Sequence, residues 1–209
     1  FIKIFFNFLA FSFSSPRDMK GKDNLSTSIQ EMGTTFIKLG QFLATRPDII
    51  GEKLSKELVS LQDKLPPFSK KEAEKIIIEN LGQSNFDDII DLSDPIAAAS
   101  IAQVHKAKIK EDNTIKNVAI KVLRPNIKKI FNEEIDAIML LAYIVESLIT
   151  KTKRLKLIEV VFLFKEITNH EMDLRFEAAA ANEYAENTKN DLGFFVPKIY
   201  LSLIHISEP

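Results

Sequence analysis

The sequence contains no cysteine. Disulfides, thiolate metal sites and cysteine nucleophiles are therefore excluded, and the absence fits a reducing compartment. Histidine is scarce as well: His105, His170 and His205 stand far apart, and no pair has the spacing of a helical zinc site. No run of 18 or more apolar residues occurs, so no segment has the length of a bilayer-spanning helix. The opening FIKIFFNFLAFSF is apolar for only 13 residues, with Lys3 inside it, and lacks a small-residue cleavage site. Residues 1–23 thus read as a poorly defined apolar segment, an interfacial anchor or the edge of a truncated helix. A formal charge of −1 leaves no global basic field to draw nucleic acid.

What is present suits a globular chain. Of 209 residues 45% are apolar and 27% charged, enough for one or two domains with a substantial core. Residues 24–50 contain an opening helix, closed where Pro47 disfavours helix at Arg46. Its apolar positions Ile29, Met32, Phe36, Gly40 and Leu43 recur at helical spacing, and Thr34, Lys38, Gln41 and Thr45 form a second, polar stripe. A further helix is expected from Glu52 to Asp63. FSKKEAEKIIIENLG then carries a capping box, Ser69 with Glu72 three residues on, and a C-terminal stop at Gly82. Up to about Leu92 the reading is all helical.

At Pro95 the texture changes. PIAAASIAQVHKAKI, the polar KEDNT and KNVAIKVL predict a β-hairpin. Helices resume after Pro125 with IKKIFNEEIDAIMLLAYIVESLI, and NHEMDLRFEAAAANEYAEN is expected as the last long one. FFVPKIY is expected as a closing strand.

The hairpin carries chemistry. VAIK, Val118 to Lys121, has the form of the strand that bears the phosphate-binding lysine in protein kinases. In that frame, anchored on Val104, Ala97, Ala99 and Ala102 stand where a kinase has three glycines. Each Cβ disfavours positive φ and holds the backbone further from a ligand, so such a loop is stiffer than a glycine-rich one. The plain alternative is a solvated strand-end lysine and small-residue packing at a tight corner. A phosphate-binding lysine needs a carboxylate to hold it. On a continuous helix Asp173 and Glu177 share one face, Glu171 lies about 120° from Glu177, and Leu174, Ala178 and Ala181 form a ridge for close packing. Glu177 is expected to pair with Lys121. The plain alternative here is a solvated acidic face.

Together these segments resemble the UbiB family of atypical kinases, called the ADCK family in eukaryotes, over roughly residues 25–200. FIKLGQ looks like its K-x-G-Q motif, AAAS its alanine-rich loop, VAIKV its lysine strand and EMDLRFEA its E-x-D motif followed by the helix glutamate. The resemblance implies an α+β fold: a kinase-like N-lobe with inserted helices at 93–200, preceded by a helical extension at 24–92 that packs over the substrate pocket. The C-lobe is expected to be absent. LSLIHISEP, residues 201–209, departs from the family and reads as an artefactual tail. By motif matching, Lys38, Gln41, Glu171 and Asp173 serve the reaction, with Lys38 contacting Glu171. Ala97, Ala98, Ala99 and Ser100 line the phosphates of ATP, and Lys121 with Glu177 binds it.

The resemblance further implies a role in ubiquinone biosynthesis, ATPase-like behaviour, and ubiquinone-pathway proteins or lipid precursors as partners. It also implies a membrane surface, the cytoplasmic face of a bacterial inner membrane or a mitochondrial one in a eukaryote. ATP is expected with Mg²⁺ whose ligands lie outside this chain, because no H-x-D or DFG pattern occurs and NDLGFF is neither. As it stands the chain is expected to bind nucleotide poorly and catalyse nothing. Two further readings compete: a non-catalytic kinase-like scaffold of a membrane lipid-biosynthetic complex, and a purely helical interaction protein. The last requires that 95–122 not be a hairpin.

Overall fold

The structure, a computed structural model, describes residues 25–59, 61, 65–111 and 114–200. The expected apolar segment 1–23 and the expected tail 201–209 lie outside the described residues. The chain divides into two compact units: residues 1–64 with 128–166, and residues 65–127 with 167–209.

In the first unit the opening helix is interrupted. Helix α1 spans Leu25–Met32 and α2 spans Thr34–Ala44. Between them stands Gly33 at φ 112°, a conformation open to glycine and costly to other residues. Pro47 does not merely end a helix. It occupies the first turn of a short helix α3, Pro47–Ile50, where its missing N–H costs nothing. Helix α4 covers Glu52–Leu58, and most of the expected continuation to Asp63 lies outside the described residues. Ser55 Oγ donates to the Ala44 carbonyl at 2.6 Å, joining α4 to the end of α2. Helix α7, Ile127–Leu148, and the first part of α8, Leu157–Glu171, supply the rest of this core. Phe164 packs at 5.6 Å from the Phe42 ring and edge-on at 5.7 Å from Phe131. Both Phe131 and Phe164 are buried.

The second unit is built on a four-stranded antiparallel sheet. Helix α5, Lys70–Leu81, begins at Ser69, whose Oγ accepts the Glu72 N–H at 3.2 Å, and stops at Gly82 with φ 81°. Helix α6, Gln83–Asp87, follows. Then comes β1, Ile89–Ile90, a strand inside the stretch expected to be wholly helical. Two isoleucines are too short a signal to show alternation, and only pairing with a distant strand defines them. Strand β2 is Pro95–Ala98, β3 is Ala102–Glu111 and β4 is Thr114–Leu123. Strand β3 is central: β4 pairs along one edge, while β2 and β1 share the other. The expected first limb of the hairpin is thus two strands, folded at Ala99–Ile101.

Alternation along the sheet separates its faces. Gln103, His105, Ala107 and Ile109 are buried, whereas Lys106, Lys108 and Lys110 between them are exposed. Ala107 and Val122 join Ile77 and Leu92 in a core that Phe68, Ile76, Leu81, Phe86, Ile89, Val118 and Ile120 surround. One sheet face is therefore covered by α5 and its neighbours. At about 1.5–3 kcal/mol per fully buried aliphatic or aromatic side chain, this layer is what fixes strand register.

Two further expectations fail in this unit. The segment 172–188 does not continue one helix: α8 ends at Glu171 and α9 spans Leu174–Thr188. Asp173 breaks the run because its carboxylate caps α9, accepting the Arg175 N–H at 3.1 Å. The helical-face relation expected among Glu171, Asp173 and Glu177 consequently does not apply. Residues 194–200 form no strand. Pro197 has no N–H to give a ladder, and no described strand pairs with this segment.

Candidate nucleotide site on the open face of the sheet

In antiparallel pairs, residues directly opposite share a face. Val104 pairs with Lys121 and Lys106 with Ala119, so all four lie on the side of the sheet that α5 leaves open. An open groove of about 540 Å³ runs along the β3–β4 pair, lined by Ile96, Lys106, Ala107, Asn117, Val118 and Ala119 from both sides of the alternation. Lys121 sits beyond its end on the same strand, and its Nζ meets Glu177 Oε2 at 2.5 Å. Glu177 lies in the first turn of α9, where the helix dipole favours a carboxylate. The lysine and glutamate side chains are 39% and 61% exposed, so the pair adds little to stability. Its effect is to place one ammonium group beside a carboxylate on the open face of the sheet.

The other expected residues are distributed as follows. Ala97 and Ala98 belong to β2, and the chain turns at Ala99 and Ser100. Ser100 is buried, and the Ala99 N–H donates to the Ala102 carbonyl at 2.8 Å. That amide is thereby spent on closing the turn rather than offered to a ligand. Asp173 is clasped by Arg175, with Nε at 2.7 Å and Nη2 at 2.5 Å from its two oxygens. Glu171 is the last residue of α8. Lys38 and Gln41 lie on α2 in the first unit, both partly exposed. Beside them Gly40 is buried, and a Cβ there would run into Leu61 Cδ1. Among the described residues no group of three or more acidic or histidine side chains is close enough to hold a metal ion.

Sequence reading missed a buried polar chain behind the alanine corner. Gln103 Oε1 accepts the Phe68 N–H at 3.0 Å, and Gln103 Nε2 donates to the Phe68 carbonyl at 3.2 Å. The same Nε2 lies 2.9 Å from His105 Nε2, and His105 Nδ1 lies 2.8 Å from the Ser93 carbonyl. The partners decide the proton: a carbonyl only accepts, so His105 carries hydrogen on Nδ1 and accepts from Gln103 through Nε2. The signal was available, since Gln103 and His105 occupy the buried register of β3. Arg124 was missed too. Its Nε and Nη2 donate to the Ala99 carbonyl at 3.0 and 2.8 Å, and Nη2 also reaches the Pro66 carbonyl at 3.0 Å. Nothing local in VLRPN announces partners 25 and 58 residues away.

A small antiparallel sheet covered on one face, with an alanine corner and a lysine–glutamate pair on the other, is the N-lobe of a kinase-like fold. Comparison with known proteins gives the particular family. Residues 60–205 match the ABC1 atypical kinase-like domain, and the chain belongs to that family. It is similar to a Marinobacter nauticus protein named "Probable protein kinase UbiB", 35% identical over 200 residues, covering 95% of this chain and 36% of the relative. Proteins of the same name from Azotobacter vinelandii and Vibrio cholerae are 36% and 38% identical over 182 and 180 residues. Those matches cover 84% and 85% of this chain and 32% of each relative. The chain thus spans about a third of the length of these curated relatives.

Proposed function

We propose that this chain provides the nucleotide-binding lobe of an atypical kinase or ATPase that supports ubiquinone biosynthesis. The observation that carries the reading is the Lys121–Glu177 pair on the open sheet face. Lys121 would neutralise phosphate charge, Glu177 would hold Lys121, and Val104 and Ala119 offer an apolar surface beside them. The geometry therefore fits the phosphates and one apolar face of ATP. The Ala99 amide is engaged, so phosphate contact through this corner either uses other amides or requires the turn to reopen there. The described residues do not fit Mg²⁺. On this reading its ligands come from the part of the relatives' length that this chain does not span.

The resemblance of the K-x-G-Q and E-x-D motifs is the support for giving Lys38, Gln41, Glu171 and Asp173 roles in the reaction. It is also the support for lipid precursors or ubiquinone-pathway proteins as partners, and for a place at the inner-membrane surface. The name those relatives carry supports kinase-like chemistry. One observation favours the second reading, a non-catalytic scaffold: Arg175 already holds both oxygens of Asp173. The test is Lys121→Ala in the protein at its full natural length. Stabilisation of thermal unfolding by Mg-ATP is expected to disappear, and an unchanged shift would overturn the site assignment.

A further inference from the structure

Arg124 stands at the end of β4 with its backbone held from both sides. Its N–H donates to the Ile101 carbonyl at 2.8 Å, and its carbonyl accepts the Ile127 N–H at 3.3 Å across the Pro125–Asn126 turn. The side chain accordingly leaves a fixed point. Its guanidinium reaches one acceptor twice, the Ala99 carbonyl, and a second acceptor once, the Pro66 carbonyl. The same group lies 5.9 Å from the centre of the Phe68 ring. Phe68 is in turn held at both its N–H and its carbonyl by buried Gln103.

Two consequences follow from elementary chemistry. A peptide unit is planar and trans, with C=O and N–H pointing in opposite directions. A guanidinium that fixes the Ala99 oxygen therefore fixes the orientation of the whole Ala99–Ser100 peptide at the tip of the corner. Moreover, only a planar fork with several N–H groups makes these three bonds at once. A lysine ammonium at the same site is a point charge on a flexible stem and does not replace it.

We propose that Arg124 is the positioning residue of the alanine corner. It sets the direction of the Ala99–Ser100 peptide and ties it to the Pro66–Phe68 segment, so nucleotide affinity depends on a side chain that does not touch the nucleotide. The proposal rests on the nucleotide-site reading above.

The experiment measures Mg-ATP affinity by calorimetric titration in the full-length protein for wild type, Lys121→Met, Arg124→Lys and Arg124→Ala. Arg124→Lys is expected to weaken binding by tenfold or more, and Arg124→Ala by at least as much. Millimolar methylguanidinium should restore part of the affinity to Arg124→Ala and none to Lys121→Met. Lys121→Met serves as the control for any general effect of the guanidinium on binding. Hydrogen exchange supplies a second reading that survives a poorly folding alanine variant: in Arg124→Lys the Ala99 amide should lose protection while Ile77 in the core keeps it. Equal affinity in wild type and Arg124→Lys, with binding lost in Lys121→Met, would overturn the role of Arg124 and leave the site standing. No binding by wild type would remove both.

Discussion

Replacing Gln103 with leucine preserves the approximate shape of a side chain with no exposed surface and removes every hydrogen bond it makes. Three are lost: to the Phe68 N–H, to the Phe68 carbonyl and to His105 Nε2. A bond of this kind contributes about 0.5–1.5 kcal/mol net, and a buried partner left unsatisfied costs about 1–3 kcal/mol. Three together give about 3 kcal/mol, less up to about 1 kcal/mol for the added apolar burial of leucine. A net loss of about 2–3 kcal/mol corresponds to a fall in Tm of about 4–12 °C for a chain of this size. Thermal and urea unfolding followed by circular dichroism measure it. Gln103→Glu should be at least as harmful, because its second oxygen would face the Phe68 carbonyl. Nitrogen-15 NMR of the wild type should place the His105 hydrogen on Nδ1. A loss below about 0.5 kcal/mol for the leucine variant, too small for three such bonds, would refute the reasoning. So would a hydrogen found on Nε2, since that would turn the Gln103 amide over and break both bonds to Phe68.

Three more expectations can be checked directly. The ammonium of Lys108, 2.7 Å from Asp91, holds that carboxyl below the usual aspartate value by hydrogen bonding and then by charge. The carboxylate's stabilising contribution is thus present above the ordinary aspartate range and lost as pH falls through the depressed one. Asp91→Asn keeps a residue tolerant of φ 53° and should lower Tm at neutral pH, with the gap to wild type closing on the acid side; a gap independent of pH would contradict the pairing. Gly40→Ala sets a helix-propensity gain of about 1 kcal/mol against an overpacking cost of about 1–3 kcal/mol where its Cβ would meet Leu61. Net destabilisation is expected, partly relieved in a Gly40→Ala/Leu61→Ala double variant, and a clean stabilisation by alanine would refute the contact. Ala99→Gly should loosen the corner and change nucleotide affinity; identical affinities for ATP and ADP in both forms would count against a role for its stiffness.

Much of the second unit was legible because its signals are local. Ser69 and Glu72 have capping spacing, Gly82 is a stop residue, and the alternation around VAIK puts Lys121 on the opposite face from Val122. The partnership of Lys121 with Glu177, 56 residues on, was readable only because two motifs were read together. Other features had no such signal. Asp173 has good side-chain chemistry for a cap, yet the strong helical periodicity around it argued for continuity, and the cap prevailed. Pairing with β3 alone makes Ile89–Ile90 a strand, and among the described residues no strand lies beside 194–200 to make it one. Arg124 acts through backbone carbonyls, which carry no residue identity and so leave no trace in a sequence.

The division of β3 and β4 into a covered and an open side has a bearing on how such a lobe changes over generations. Substitutions at Val104, Lys106, Ala119 or Lys121 alter the chemistry of the open side while leaving Ala107, Val122 and the layer beneath them untouched. A single inserted or deleted residue within either strand does the reverse. It would turn lysines into the core and the core into solvent from that point to the strand's end. Inherited variation in this lobe is thus free to rewrite the letters on one side of the sheet, but not to change the length of the line.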